Sequence, residues 1–378
     1  MSAAAAGTAL LLAAVGGAVG AGDLRAAPLL DAALLVLALA GYALVASARG
    51  GRPLLILLGL VLVRVVAFAG GPTLSDDQYR YVHEGRAERI DLALSYRTTP
   101  KDLHPAPPPD DGISALVNHP DVPAAYPPGV ELVLAATAWL GDAVSHPFLP
   151  LRLLVAAADG LVLALLYRKR AQAPRAYVLY GAHPLPILEL TLGGHLDGLA
   201  IAAIVAATLL ARPILRGALV GLAMHVKPIA VVALVALPRG QRLVAALGCA
   251  LVVLALALPH AIAGAPITRG LVEYGTRWRA APFAYAALEA PLLPLFADRA
   301  ARGVYAHVHV TGSPIGVLIE QSGTPILALG DARLAERPIL LDAGFFARAL
   351  AGLLLLAALA FIARMRAASH EARVGLAL

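Results

Sequence analysis

The chain has 378 residues, of which 60% are apolar and only 14% charged, with a formal net charge of +6. Soluble domains run at about 45–50% apolar and about 25% charged, so this composition excludes an ordinary soluble fold. The single cysteine, Cys249, excludes an internal disulfide framework and a cysteine-based metal site. The basic residues cluster at the ends of apolar blocks, as the positive-inside rule expects, so the net charge does not point to nucleic acid as a partner.

In chain order, residues 3–22 form a weak apolar block of Ala, Gly and Leu. It lacks a basic leader and reads as a first membrane helix rather than a cleaved signal. Blocks 28–48, 53–70, 149–167, 243–263 and 345–363 have the length of a helix crossing about 30 Å of hydrocarbon. Two further segments are broken. Pro127-Pro128, Pro147 and Pro150 interrupt 127–167, and His225, Lys227 and Pro228 interrupt 217–237. The expected fold is an all-α polytopic membrane protein, one membrane domain over 1–378 with about eight to eleven transmembrane helices.

Arg49 with Arg52, Arg168-Lys169-Arg170 with Arg175, Arg212 with Arg216, Arg239 with Arg242, and Arg364 with Arg366 are assigned to the cytoplasm. Residues 71–126 then form a first extracytoplasmic loop and 264–344 a second, and the membrane is the cytoplasmic (inner) one. This topology requires 127–167 to cross only once, so one of its two helices is a partial crossing. The apolar pieces 281–297 and 313–329 read as interfacial or broken helices. Loops of this length are usually functional.

The first loop opens Leu74-Ser75-Asp76-Asp77-Gln78-Tyr79-Arg80-Tyr81-Val82-His83-Glu84-Gly85-Arg86. Ser75 followed by Gln78 has the spacing of a capping box, with Asp76 and Asp77 in the first turn where the helix dipole favours anions. A helix start therefore explains these residues without catalysis. The location, directly after a membrane helix, gives them a second meaning. On a helix from Ser75, Asp76, Arg80 and His83 share one face, and Asp77, Tyr81 and Glu84 another. A carboxylate can take a proton from an attacking hydroxyl. Arginine can hold phosphate bidentately, and Tyr79, Tyr81 and Tyr126 offer faces to a sugar.

The stretch Ser75–Arg86, followed by Val117-Asn118-His119-Pro120-Asp121-Val122-Pro123-Ala124-Ala125-Tyr126-Pro127-Pro128-Gly129, resembles the class C integral-membrane glycosyltransferases of the mannosyltransferase type. The order of later elements is similar to that of the catalytic subunit of the GPI mannosyltransferase, over about residues 55–290. The resemblance implies a polyprenyl-phosphate sugar donor, an acceptor that is a glycan or lipid-linked, an extracytoplasmic site in contact with membrane lipid, and inversion at the anomeric carbon. It implies Asp76 or Asp77 as the base, with Glu84, His119 and Tyr126 near the substrate. The acids are adjacent rather than spaced Asp-x-Asp, so no metal site is carried over, and no cofactor is expected to be obligatory.

Charges inside apolar blocks mark function or pairing. In Gly193-Gly194-His195-Leu196-Asp197-Gly198, His195 and Asp197 either contact a sugar or build a turn and a helix cap. Lys227 either binds the donor phosphate or snorkels to the interface. Arg277 and Trp278 either clamp phosphate and stack on sugar or belong to an interfacial belt. Arg152 and Asp159, seven apart on one helix, read as a structural pair. His307 and His309 lack the further ligands that a metal site needs. A transporter or flippase of lipid-linked glycans is the alternative reading, but it predicts an internal repeat and short external loops, and the sequence has neither.

Overall fold

The computed structural model describes residues 2–277 apart from 49, 72 and 73, and beyond these 287–294, 304–309, 316–321, 324–329, 339–341 and 343–364. The chain divides into two units, Met1–Leu234 with Pro238–Ala265, and Val235–Leu237 with Pro266–Leu378. As the composition implied, it is mostly helical and polytopic.

The first unit contains α1 (Ala3–Ala21), α2 (Pro28–Ser47), α3 (Pro53–Ala69), α4 (Asp77–Ile90), α5 (Leu94–Arg97), α6 (Pro128–Ala143), α7 (Leu149–Arg168), α8 (Ala176–Ala182), α9 (Asp197–Leu209), α10 (Pro213–Met224), α11 (Val232–Val235) and α12 (Arg239–Ile262). Proline opens α2, α3, α6 and α10. Its fixed φ suits the first turn, where its missing N–H is not needed. Helices α1, α2, α7 and α12 are long and apolar enough to cross a membrane. A fifth such segment is the pair Pro186–Leu192 and α9, bent by 115° at its break. Among the described residues, the 17-residue α3 and the 12-residue α10 are apolar helices shorter than these spans.

Leu11, Val15, Leu60, Val63 and Leu192 pack inside one core, while Leu54, Leu58, Leu62, Leu251 and Leu254 face outward. An apolar exterior is the pattern of helices surrounded by lipid. Polar contacts gather at two opposite ends. At one, the Arg175 guanidinium donates to the Ala46 carbonyl near the end of α2, and Arg216 at the start of α10 donates to Gln241 at the start of α12. At the other, Arg25 in the α1–α2 connection meets Asp76 after α3, and His260 near the end of α12 meets Glu88 of α4.

The expected Arg152–Asp159 pair is not formed. Asp159 is fully buried and accepts from Arg64 Nε at 2.8 Å, Tyr180 Oη at 2.7 Å and Thr191 Oγ1 at 2.7 Å. Arg152 instead donates to the carbonyls of Phe68 and Gly70 at the end of α3. Residues seven apart lie two turns along a helix, and each found a nearer partner on a neighbouring helix.

In the second unit, α13 (Arg269–Arg277) is followed by an antiparallel sheet of β1 (Val304–His309), β2 (Gly316–Gln321), β3 (Thr324–Leu329) and β4 (Ile339–Leu340), in the order β3-β2-β1-β4. Then α14 (Ala343–Arg364) coincides with the last apolar block. The reading of 313–329 as broken or interfacial helix is corrected here, since β2 pairs with β3 from Val317↔Leu329 to Gln321↔Thr324. Two short apolar pieces, Val317-Leu318-Ile319 and Ile326-Leu327-Ala328-Leu329, on either side of Ser322-Gly323 are a hairpin signal that apolarity alone hides.

Candidate active site

Helix α4 carries the site. Asp76 stands at its N-cap position and Asp77 in its first turn, where the helix dipole favours negative charge. The capping box does not form. Ser75 Oγ accepts from the Asp77 amide at 3.1 Å, and the Gln78 side chain donates instead to the Gly193 carbonyl at 2.5 Å. Although α4 is polar, nine of its 14 residues are buried. It lies against α6 so closely that a Cβ on Gly85 would strike the Leu134 carbonyl. Glycine is the residue that permits this approach, and with it the aim of the acidic end.

Arg80 anchors the loop that crosses above. Its guanidinium donates to Glu84, to Asn118 Oδ1 and to the carbonyls of Asn118, His119 and Val122. That uses all five guanidinium donors. With Asn118 Oδ1 taken by Arg80, its amide nitrogen faces the two aspartates, at 2.7 Å from Asp76 Oδ1 and 2.6 Å from Asp77 Oδ1. His119 contributes through its carbonyl and a φ of 45° at the turn.

The two aspartates differ in their second partner. Asp76 Oδ2 lies 2.6 Å from Arg25 Nη1. Asp77 Oδ2 lies 3.4 Å from His195 Nε2, whose Nδ1 is 2.6 Å from Glu189 Oε2. Burial pushes Asp77 up, but the hydrogen bonds from His195 and Asn118, the His195 charge and Ser75 outweigh it and hold the carboxyl at about 2. His83, below on the same helix, is held at about 4 by burial and by Arg80 and Arg86. It meets Ser114 at 2.9 Å.

Beside Asp77, the Tyr81 and Tyr126 hydroxyls lie 3.1 Å apart. Burial pushes both phenols up, and the nearby Asp77 and Asp197 charges add to the shift. Tyr96 fixes Tyr126 from behind by donating to its carbonyl at 2.6 Å. Lys227 Nζ lies 3.5 Å from Asp197 Oδ1 and 5.9 Å from the centre of the Tyr126 ring. The break at His225–Pro228 is present, and His225 Nδ1 accepts from the Gly129 amide at the start of α6.

The structure thus brings together Asp76, Asp77, Tyr81, Tyr126, His195, Asp197 and Lys227 from distant segments of the chain. Arg80, Glu84 and His119 support this cluster. Burial raises Glu84 while Arg80 opposes the shift, and the Tyr79 ring packs edge-on against Phe148 at 5.4 Å. Arg277 ends α13 with its side chain outside the described residues, and Trp278 lies outside them as well. Sequence reasoning did not assign Arg25 or Asn118. Arg25 carried one usable signal: a basic residue in a connection opposite the basic clusters. Among the described residues, no three His, Cys, Asp or Glu side chains converge as metal ligands.

Fold and site define a polytopic membrane protein with carboxylates, tyrosines and a lysine gathered at one end of its helices. Residues 65–239 match the family model of the alpha-(1->6)-mannopyranosyltransferase N-terminal domain. The match spans every gathered side chain except Arg25, and it supports a glycosyltransferase that moves mannose. No curated protein and no solved structure matches the chain significantly.

Proposed function

We propose that the chain is a mannosyltransferase that uses a polyprenyl-phosphate donor at the extracytoplasmic face of the cytoplasmic membrane and inverts the anomeric carbon. The carrying observation is the placement of Asp77 beside the tyrosine pair and the Lys227–Asp197 pair. The sidedness rests on the basic clusters at the opposite end, where Arg175 and Arg216 make their contacts.

In this reading the acceptor hydroxyl, on a glycan or lipid, attacks the anomeric carbon as the bond to the donor phosphate breaks. The bond electrons leave with the polyprenyl phosphate, and the hydroxyl proton passes to Asp77. A carboxylate held at about 2 can serve as base, because the hydroxyl becomes strongly acidic only as the new C–O bond forms. Lys227 is the cation best placed for the leaving phosphate, since Arg80 is committed to the loop. Tyr81 and Tyr126 shape the sugar pocket. Asp76 is the lesser candidate for base because the Arg25 guanidinium pairs with its Oδ2.

The test is transfer from radiolabelled polyprenyl-phosphate mannose in membranes containing the protein, with Asp76→Asn and Asp77→Asn compared. Loss in Asp77→Asn alone supports the reading. Full activity in Asp77→Asn, or transfer only from a nucleotide sugar, overturns it.

A further inference from the structure

Glu189 lies in a π-helical turn, Pro186–Leu192, immediately before the 115° break. Such turns place backbone and side chains where an α-helix cannot, and they are frequent at functional sites. Here the turn brings Glu189 back onto His195 twice. The His195 amide donates to the Glu189 carbonyl at 3.0 Å, and the Glu189 carboxylate meets His195 Nδ1 at 2.6 Å. Gly194, at φ 71°, makes the reversal between them, and its Cα faces the Gln78 amide, which in turn holds the Gly193 carbonyl. The imidazole is fixed by backbone and side chain alike, with its free nitrogen directed at Asp77.

We infer that Glu189 is a positioning residue for the transfer reaction, holding His195 with its Nε2–H toward Asp77 so that the base is aimed and kept ionised. The inference rests on Asp77 being the base. A carboxylate bound to one imidazole nitrogen sets the proton position and orientation of the other, which is why catalytic imidazoles are so often backed by a carboxylate. In this role Glu189 needs no contact with substrate. It acts through His195, which leaves the Asp77 lone pair opposite the imidazole available to the acceptor hydroxyl.

The charged and titratable groups facing this chain are few. His195 faces Asp77 and Glu189, with Arg152 of α7 packed beside Gly194. Asp77 faces Asn118, Tyr81, Tyr126 and Glu84. Of these, His195 and Asn118 are the chief groups that lower its pKa. Removing the Glu189 carboxylate frees the His195 ring to turn away from Asp77, and losing that hydrogen bond lets Asp77 titrate at higher pH.

The experiment measures transfer from radiolabelled polyprenyl-phosphate mannose against pH for Glu189→Gln, Glu189→Asp, His195→Gln and Asp77→Asn in the full chain. Glu189→Gln is expected to lower kcat roughly tenfold with donor KM within about twofold, and to move the acid limb of the profile up by about one pH unit. Glu189→Asp restores part of both effects. If Glu189→Gln lowers activity only in proportion to lost folded protein, with the acid limb unmoved, Glu189 is a structural brace and the inference is overturned. Inactive Asp77→Asn with wild-type behaviour in Glu189→Gln overturns this inference alone. Full activity in Asp77→Asn overturns the base assignment and this inference with it.

Discussion

Two aspartate clusters in the first unit use the same residue types to different ends. Asp159 sits between α3, α7, α8 and the π-helical turn with no solvent exposure, and Arg64, Tyr180 and Thr191 saturate its oxygens. Asp77 also has its oxygens engaged, by Asn118 and His195, yet its side chain keeps 37% exposure and the His195 contact is a long 3.4 Å. A saturated buried carboxylate has no lone pair left for chemistry and serves packing. A carboxylate held at its edges, open on one side and flanked by tyrosines, can still receive a proton. Both clusters place an arginine near an aspartate, and only the geometry separates brace from base.

The largest effect that tests this contrast is at Asp77. Asp77→Asn is expected to lower transfer by roughly 10²–10⁴-fold, the usual contribution of a positioned base, with unchanged thermal unfolding in detergent. Asp76→Asn should stay within about tenfold of wild type, because Asp76 orients Arg25 and Asn118 but takes no proton. The reverse ranking would move the base to Asp76 and break the comparison.

Asp159→Ala should show the opposite signature. Removing one partner of a buried pair leaves the Arg64 charge uncompensated, at a cost of about 3–5 kcal/mol. The expected result is a lower melting temperature and less folded protein, with specific activity per folded molecule preserved. Next in size is Lys227→Ala, which should raise donor KM about tenfold by removing one charge-assisted contact to phosphate. Lys227→Arg should recover part of that loss.

The smallest effect concerns His83. Burial holds its folded pKa at about 4, below the ordinary 6.5. Between those values the unfolded chain binds the proton and the folded chain does not, so stability rises with pH across this window and is lost as pH falls through it. Melting temperature measured from pH 7 to pH 4 should therefore fall less in His83→Gln than in wild type.

Much of the architecture was legible because apolar blocks and their prolines are local signals. The blocks at 28–48, 53–70, 149–167 and 243–263 became α2, α3, α7 and α12 within a few residues. The motif at Ser75–Arg86 was legible as a place, and its face of Asp77, Tyr81 and Glu84 formed on α4 as drawn. Its internal bonding was not. Gln78 left the capping box for Gly193, 115 positions away, and Arg80 turned to the loop rather than to an open phosphate site. The β2–β3 pair was missed because a short apolar run fits a strand or a broken helix equally well until its pairing partner is known.

By itself the sequence determined that this chain is a membrane protein with an acidic, tyrosine-rich segment after its third helix. Those properties follow from composition and short-range spacing. Which aspartate stands beside His195 and which beside Arg25, and that Asp159 takes Arg64 rather than Arg152, were decided only in the tertiary structure. The physical reason is that each of these partners is dozens of positions away, and a polar group inside a helical bundle takes the donor that packing brings to it, whatever its spacing in the chain.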